Sequence, residues 1–316
     1  MTWESKMMKL LRSQCLLPLV LVSFSGLAQA QNLFLTPTTY QWGPCLAADL
    51  NDDGKLDLVC GDGTVQLGNG DGTFKGGTPW SVPGTYLLGT LLGTADFNGD
   101  GKADLLVTGP YTDPTSLYVL LGNGDATFRA PVKTNIGTSL VSVVVADING
   151  DGKPDVVGTS NVIGLVVLLG KGDGTFMPGT AYPLSNGGYL TTGDFNGDGK
   201  QDVAIAIGVG TAGQVSVFLG NGDGTLKTPA ITSVAPSSPL GIAAADLNGD
   251  GKLDLLVPEG YSSQTYALLG KGDGTFSAPA PAANARCAGS AYGRTPRPTY
   301  RGRGPARNPC RICRRP

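Results

Sequence analysis

Residues 49–57 read Asp-Leu-Asn-Asp-Asp-Gly-Lys-Leu-Asp, and the same frame, Asp-x-Asn-x-Asp-Gly-x-x-Asp, returns at Asp96, Asp147, Asp194 and Asp246. Successive loops begin 47, 51, 47 and 52 residues apart, so one cassette is written five times. Self-similarity at such a period marks a repeat array, whose units bury their apolar faces by stacking on one another.

The flanks of each loop are short β-branched or aliphatic runs bounded by Gly and Asp, as at 141–146 and 105–107. These are strand signals, and no amphipathic helical stretch occurs between residues 31 and 276. A second signature, Leu-Gly-x-Gly-Asp-Gly-Thr-Phe with small variations, follows in every cassette, its turn at 68–72, 122–126, 170–174, 220–224 and 270–274. Asn-Gly and Asp-Gly supply positive φ cheaply, so these segments are expected to be hairpin turns. These turns are disfavoured as metal sites, since each has one carboxylate and a hard cation of the oxygen-liganded kind takes about six to eight oxygens. The expected fold is all-β, a β-propeller of about five four-stranded blades with the Asp-rich loops between blade strands. Whether five blades close a ring stays open.

In the first loop Asp49, Asn51, Asp53 and Asp57 hold positions one, three, five and nine, with Gly54 at the bend and Lys55 at seven. Alternate side chains then face one point, and hard oxygen donors select Ca²⁺ over softer metals. Lysine contributes its backbone carbonyl, and its ammonium is expected to point into solvent. The same positions are Asp96, Asn98, Asp100, Lys102 and Asp104; Asp147, Asn149, Asp151, Lys153 and Asp155; Asp194, Asn196, Asp198, Lys200 and Asp202; and Asp246, Asn248, Asp250, Lys252 and Asp254. The competing account is plain Asx-turns without metal, but three carboxylates within nine residues repel one another unless a cation lies between them. An EF-hand would need Glu at position twelve, where this chain has Cys60, Val107, Gly158, Ile205 and Val257.

Over about residues 31–276 these motifs resemble the FG-GAP or VCBS-like repeats of integrin α-subunit propellers and of many secreted bacterial proteins. The resemblance implies that the loops join neighbouring strands of a blade and bind calcium through the residues named above. It also implies a binding or adhesion scaffold for a protein or carbohydrate ligand. Members commonly have seven blades, whereas five motifs are visible here.

Composition narrows the function classes. The 316 residues include 49 glycines and no histidine, and only 15% are charged, for a net charge of −2. Absence of histidine removes the commonest general base and every Ser/His or Cys/His pair. Of 24 acids between residues 31 and 276, 15 belong to the loops and five to the second turns, leaving Asp52, Asp62, Asp113 and Glu259. A paired-carboxylate enzyme would have to bring two of these four together, so a non-enzymatic role is expected. The alternative is an accessory propeller of a cell-surface polysaccharide-degrading enzyme. Gly208 to Gly213 mimics a dinucleotide fingerprint, but a strand pattern follows it, so a hairpin is expected.

Lys6, Lys9 and Arg12, an apolar run at 16–27 and Ala28-Gln29-Ala30 have the form of a secretory signal peptide over residues 1–30. The run is short and broken by Pro18 and Ser23, which argues against a membrane anchor. The mature chain is therefore expected to be secreted, extracellular or periplasmic or at the cell surface, without a membrane span or a nucleic-acid partner. In an oxidising compartment Cys45 and Cys60, on the two strands that leave the first loop, are expected to form a disulfide if the strand register faces them together. Residues 277–316 hold nine of the eleven arginines, no acid and Cys310-x-x-Cys313, a composition expected to be disordered. That tail reads either as a polyanion-binding arm or as foreign sequence interrupting the array.

Overall fold

The computed structural model describes residues 45–76, 78–79, 90–110, 112–209, 212–234, 238–260 and 264–282. The expected signal peptide at 1–30 and the Cys310-x-x-Cys313 motif lie outside them. All twenty described strands fall into five four-stranded antiparallel sheets, each a meander in chain order. The protein is all-β and propeller-like.

Blade 1 comprises β1 (Cys45–Ala48), β2 (Asp57–Cys60), β3 (Thr64–Gln66) and β4 (Thr78–Pro79). Blade 2 comprises β5 (Leu91–Ala95), β6 (Asp104–Thr108), β7 (Ser116–Leu120) and β8 (Val132–Asn135). In blade 3 the strands are β9 (Ser142–Ala146), β10 (Asp155–Ser160), β11 (Gly164–Leu168) and β12 (Thr180–Tyr182). Blade 4 has β13 (Tyr189–Gly193), β14 (Asp202–Val209), β15 (Ala212–Phe218) and β16 (Ala230–Val234). Blade 5 has β17 (Ala243–Ala245), β18 (Asp254–Pro258), β19 (Thr265–Leu268) and β20 (Ala280–Pro281). The fifth sheet thus runs past residue 276, the expected end of the array.

The first strands touch in succession, β1 with β5, β5 with β9, β9 with β13 and β13 with β17, and no comparable contact returns from β17 to β1. Alternation along the second strands explains the stacking. Leu105, Val156, Val203 and Leu255, each just after a ninth-position Asp, face the preceding blade, while Val59, Leu106, Val157 and Ala204, one residue later, face the following one. The core is therefore four interblade layers, and no sheet is buried by its own residues alone.

Within the meander, the Asp-rich loop joins strands one and two, and the Gly-Asp-Gly turn joins strands three and four, so both lie at the same end of each blade. Gly208 pairs with Gly213 and Val209 with Ala212 across β14 and β15, which makes the dinucleotide-like stretch a hairpin. Cys45 pairs with Cys60 in the β1–β2 register, and the two form a disulfide. Among the described residues no helix is long and apolar enough to cross a membrane.

Candidate metal centre

Each Asp-rich loop is wound by its own side chains. In blade 2 the Asp96 carboxylate accepts from the N–H groups of Gly99, Asp100 and Gly101 at 2.7, 3.1 and 2.8 Å. Asn98 Oδ1 accepts from Asp100 N at 3.0 Å, and Asp100 Oδ1 accepts from Lys102 N at 3.0 Å. Positions one, three and five thus turn their oxygens into the bend, as Asp194, Asn196 and Asp198 also do in blade 4. Gly101 permits this winding with φ of 84°.

The ninth position has a second role that the motif spacing does not disclose. Asp57, Asp104, Asp155, Asp202 and Asp254 are all fully buried. One oxygen of each accepts from the second-position N–H, of Leu50, Phe97, Ile148, Phe195 or Leu247, at 2.8–3.0 Å. The other accepts from the first glycine of the second turn, Gly68, Gly122, Gly170, Gly220 or Gly270, at 2.7–2.8 Å. The carboxylate is a tie between the two loops of its blade. Glycine is required at the tie because a Cβ on it would stand 2.1–2.3 Å from the carbonyl oxygen of the residue before the Asp. The Leu-Gly pair that precedes every second turn was the visible sign of this contact.

Burial pushes Asp104 up to about 6, against the two N–H bonds that favour its charge, and the charges of Asp100 and Asp96 push it further the same way. Asp155 and Asp202 are raised by burial in the same manner, and the like charges of their loops add to it. Asp100 itself is held below its ordinary value, chiefly by the hydrogen bond from the Asn98 amide. The loops therefore crowd like charges around a buried carboxylate.

The donor set fits a hard divalent cation. It consists of carboxylate, amide and backbone oxygens, and the carboxylates raise one another's cost of ionisation, which a bound cation would relieve. As they stand, no three acidic or cysteine side chains among the described residues are close enough together to hold an ion. Every one of the 25 positions expected from the sequence lies in a loop of this kind or at its strand boundary.

Lysine at position seven departs from expectation in two blades. Lys55 Nζ lies 3.3 Å from Asp53 Oδ2, and Lys153 Nζ lies 3.6 Å from Asp151 Oδ2. The stem of each lysine rests on the second glycine of the turn, where no Cβ obstructs it, as the stems of Lys102, Lys200 and Lys252 also do. In the second turns the lone Asp is used locally: Asp71 accepts from the Thr73 N–H and hydroxyl at 2.9 and 2.6 Å, and its carboxyl is held low chiefly by that hydroxyl.

The four acids outside the motifs fall at separate places. Asp52 lies in the first loop with φ of 56° and reaches towards Gly124 of blade 2. Asp62 is capped by Thr64 in the β2–β3 turn. Asp113 accepts from Ser116, Tyr118 and Lys133 at 2.9, 2.8 and 2.7 Å. Glu259 is buried at the end of β18, beside Gln214 and Tyr266.

With this geometry in view, comparison with known proteins assigns the class. The chain belongs to the FG-GAP-like repeat family, whose model matches residues 49–107, 96–158 and 194–257. No curated protein matches it. Among solved structures it is similar to the Tc holotoxin pore of Photorhabdus luminescens, with 20% identity and a TM-score of 0.48 over 74% of this chain and 11% of that one. It is also similar to BBS1N in complex with ARL6DN, with 15% identity and a TM-score of 0.48 over 76% of this chain and 67% of that one. The TcdB2-TccC3 structure matches at 18% identity and a TM-score of 0.31, over 75% of this chain and 15% of that one. The chain spans only a small part of either toxin component.

Proposed function

We propose that the array is an exported, calcium-stabilised, non-catalytic scaffold that presents blade loops to a protein or glycan. The observation that carries the calcium part is the crowding of like charge around Asp104, Asp155 and Asp202 in loops that repeat five times. Asp, Asn and lysine-carbonyl oxygens at positions one, three, five, seven and nine are the ligands. Calcium supplies the positive charge that lets the carboxylates stay ionised together, and it links the start of the second strand to the loop before it.

The ligand is expected at the opposite end, away from the acidic loops. There Val141, Val162, Tyr189 and Leu240 are exposed, 39% or more, in segments rich in Ser, Asn and Gly and free of charge. Neutral loops with an exposed aromatic suit a glycan or an uncharged peptide face. Isothermal titration of the full chain with calcium chloride, and thermal melts with and without chelator, test the scaffold. At free calcium 100 times Kd each site adds about 2.7 kcal/mol, and identical melts would reject calcium binding. A glycan array, repeated with Tyr189→Ser, tests the ligand end. Binding that survives the substitution unchanged would move the ligand elsewhere.

A further inference from the structure

The backbone of the second-position residue is shared between two blades in loops 1, 2 and 4. Its N–H is held by the ninth-position carboxylate of its own blade, at 2.8 Å for Phe97 and 2.9 Å for Phe195. Its carbonyl accepts from the turn of the following blade: Ala126 N to Leu50 O at 2.8 Å, Gly174 N to Phe97 O at 3.0 Å and Gly274 N to Phe195 O at 3.0 Å. The side chains repeat the arrangement. Phe97 meets Phe176, and Phe195 meets Phe276, edge to face at 5.8 and 5.7 Å. At the joint of blades 3 and 4 the Tyr182 hydroxyl accepts from Leu226 N at 2.8 Å.

These bonds have a direction. Loop and following turn are tied, and the turn is then tied by its first glycine to the ninth-position carboxylate of its own loop, as Gly122 is to Asp104. Resting on the calcium reading above, we propose that a loop is coupled to the turn of the blade that follows it: calcium in one blade's loop holds the Gly-Asp-Gly turn of the next blade, and the docked next blade in return tightens that loop for calcium. The first- and ninth-position carboxylates flank the second-position peptide, so their fixation fixes the peptide that bridges the blades. Reciprocity of linked equilibria supplies the second half. Loop 5 has no described blade after it, and its second-position Leu247 is 41% exposed, against 2–3% for Leu50, Phe97, Ile148 and Phe195. It is therefore the weakest calcium site.

The test uses the full chain and two double variants, Asp96→Asn with Asp100→Asn, and Asp246→Asn with Asp250→Asn, which keep an acceptor oxygen while removing charge. Hydrogen exchange is followed in calcium and in chelator, beside calorimetric titration with calcium chloride. The first variant is expected to lose calcium-dependent protection of residues 170–176 in blade 3, by about fivefold or more, while residues 68–74 in blade 1 keep theirs. The second is expected to remove the lowest-affinity class, about fivefold weaker than the rest, and to leave the sites of loops 1–3 unchanged. Equal losses at 68–74 and 170–176, or intact protection at 170–176 while calcium still binds, would overturn the coupling. Failure of the underlying calcium reading is distinguishable, because the unmodified chain would then show neither binding heat nor any calcium effect on exchange.

Discussion

The loops of blades 4 and 5 share one motif and one set of ties, yet their second-position side chains meet different fates. Phe195 is 2% exposed, packed on Phe276, whereas Leu247 is 41% exposed. Leu269, which precedes the second turn of blade 5, is 40% exposed, while its counterparts Leu67, Leu121, Leu169 and Leu219 are partly buried against interblade layers. Motif residues of one blade become core only when the following blade covers them. This is the behaviour of a stacked array, in which neighbour interfaces hold most of the stability.

The largest expected contrast follows from burial. Phe195→Ala should cost about 4 kcal/mol, because it empties an aromatic contact in the layer between blades 4 and 5. Leu247→Ala should cost within about 0.5 kcal/mol, as for an exposed site. Urea denaturation in calcium measures both, and comparable losses would mean that Leu247 is covered in solution.

Next comes the buried tie. Asp202→Ala leaves the N–H groups of Phe195 and Gly220 without their carboxylate and should cost about 3 kcal/mol. Asp254→Ala breaks the same two bonds in blade 5, at Leu247 and Gly270, but no described blade hangs on the Leu247 carbonyl. Its cost should be smaller by about 1 kcal/mol, the worth of one interblade hydrogen bond. Equal costs would show that the interblade bond adds nothing.

Truncation sharpens the account of blade 5 itself. Stopping after Asn284 keeps the compact unit formed by residues 1–284 and should leave the melting temperature unchanged. Stopping after Phe276 removes β20, with its pairing to β19 and the bond from Ala282 N to Thr265 O. A loss of about 1 kcal/mol, seen as a fall of about 2–4 °C, is expected. An equal melting temperature for the two truncations would place the end of the array at 276 after all.

The smallest effect concerns blade 2, whose second turn has Ala126 at φ of 64° where the other blades have Gly72, Gly174, Gly224 and Gly274. Ala126→Gly should relieve the left-handed conformation and change stability by no more than about 1 kcal/mol in either direction, since the added chain freedom opposes the gain. Gly174→Ala should destabilise by about 1 kcal/mol, as it adds strain at φ of 83° and a Cβ 3.2 Å from Leu121. Differential scanning calorimetry of both checks the sign.

Much of the architecture was legible in the sequence because its signals are local. The 47–52-residue spacing, the strand-like flanks and the turn chemistry of Asn-Gly and Asp-Gly each depend on a few neighbouring residues, and they led to five four-stranded antiparallel units. Loop winding around Asp96, Asn98 and Asp100 was legible for the same reason. The Cys45–Cys60 pairing was a possibility that only the register of β1 on β2 could decide, since a slip of one residue turns side chains to opposite faces. The second role of the ninth-position Asp was also hidden. Its partners at Gly68 and Gly122 stand 11 and 18 residues further on, a separation that varies with the length of the intervening hairpin.

The repeat, the strands, the turns and the positions of the acidic loops are set locally and are legible in the chain. Tertiary structure alone decided which apolar residues form the core, which carboxylates tie two loops together, and that Leu247 stays exposed where Phe195 is buried. The reason is physical: strand and turn preferences act within a few residues, but burial at a second position depends on the sheet of the next blade, supplied from as far along the chain as Phe276 is from Phe195.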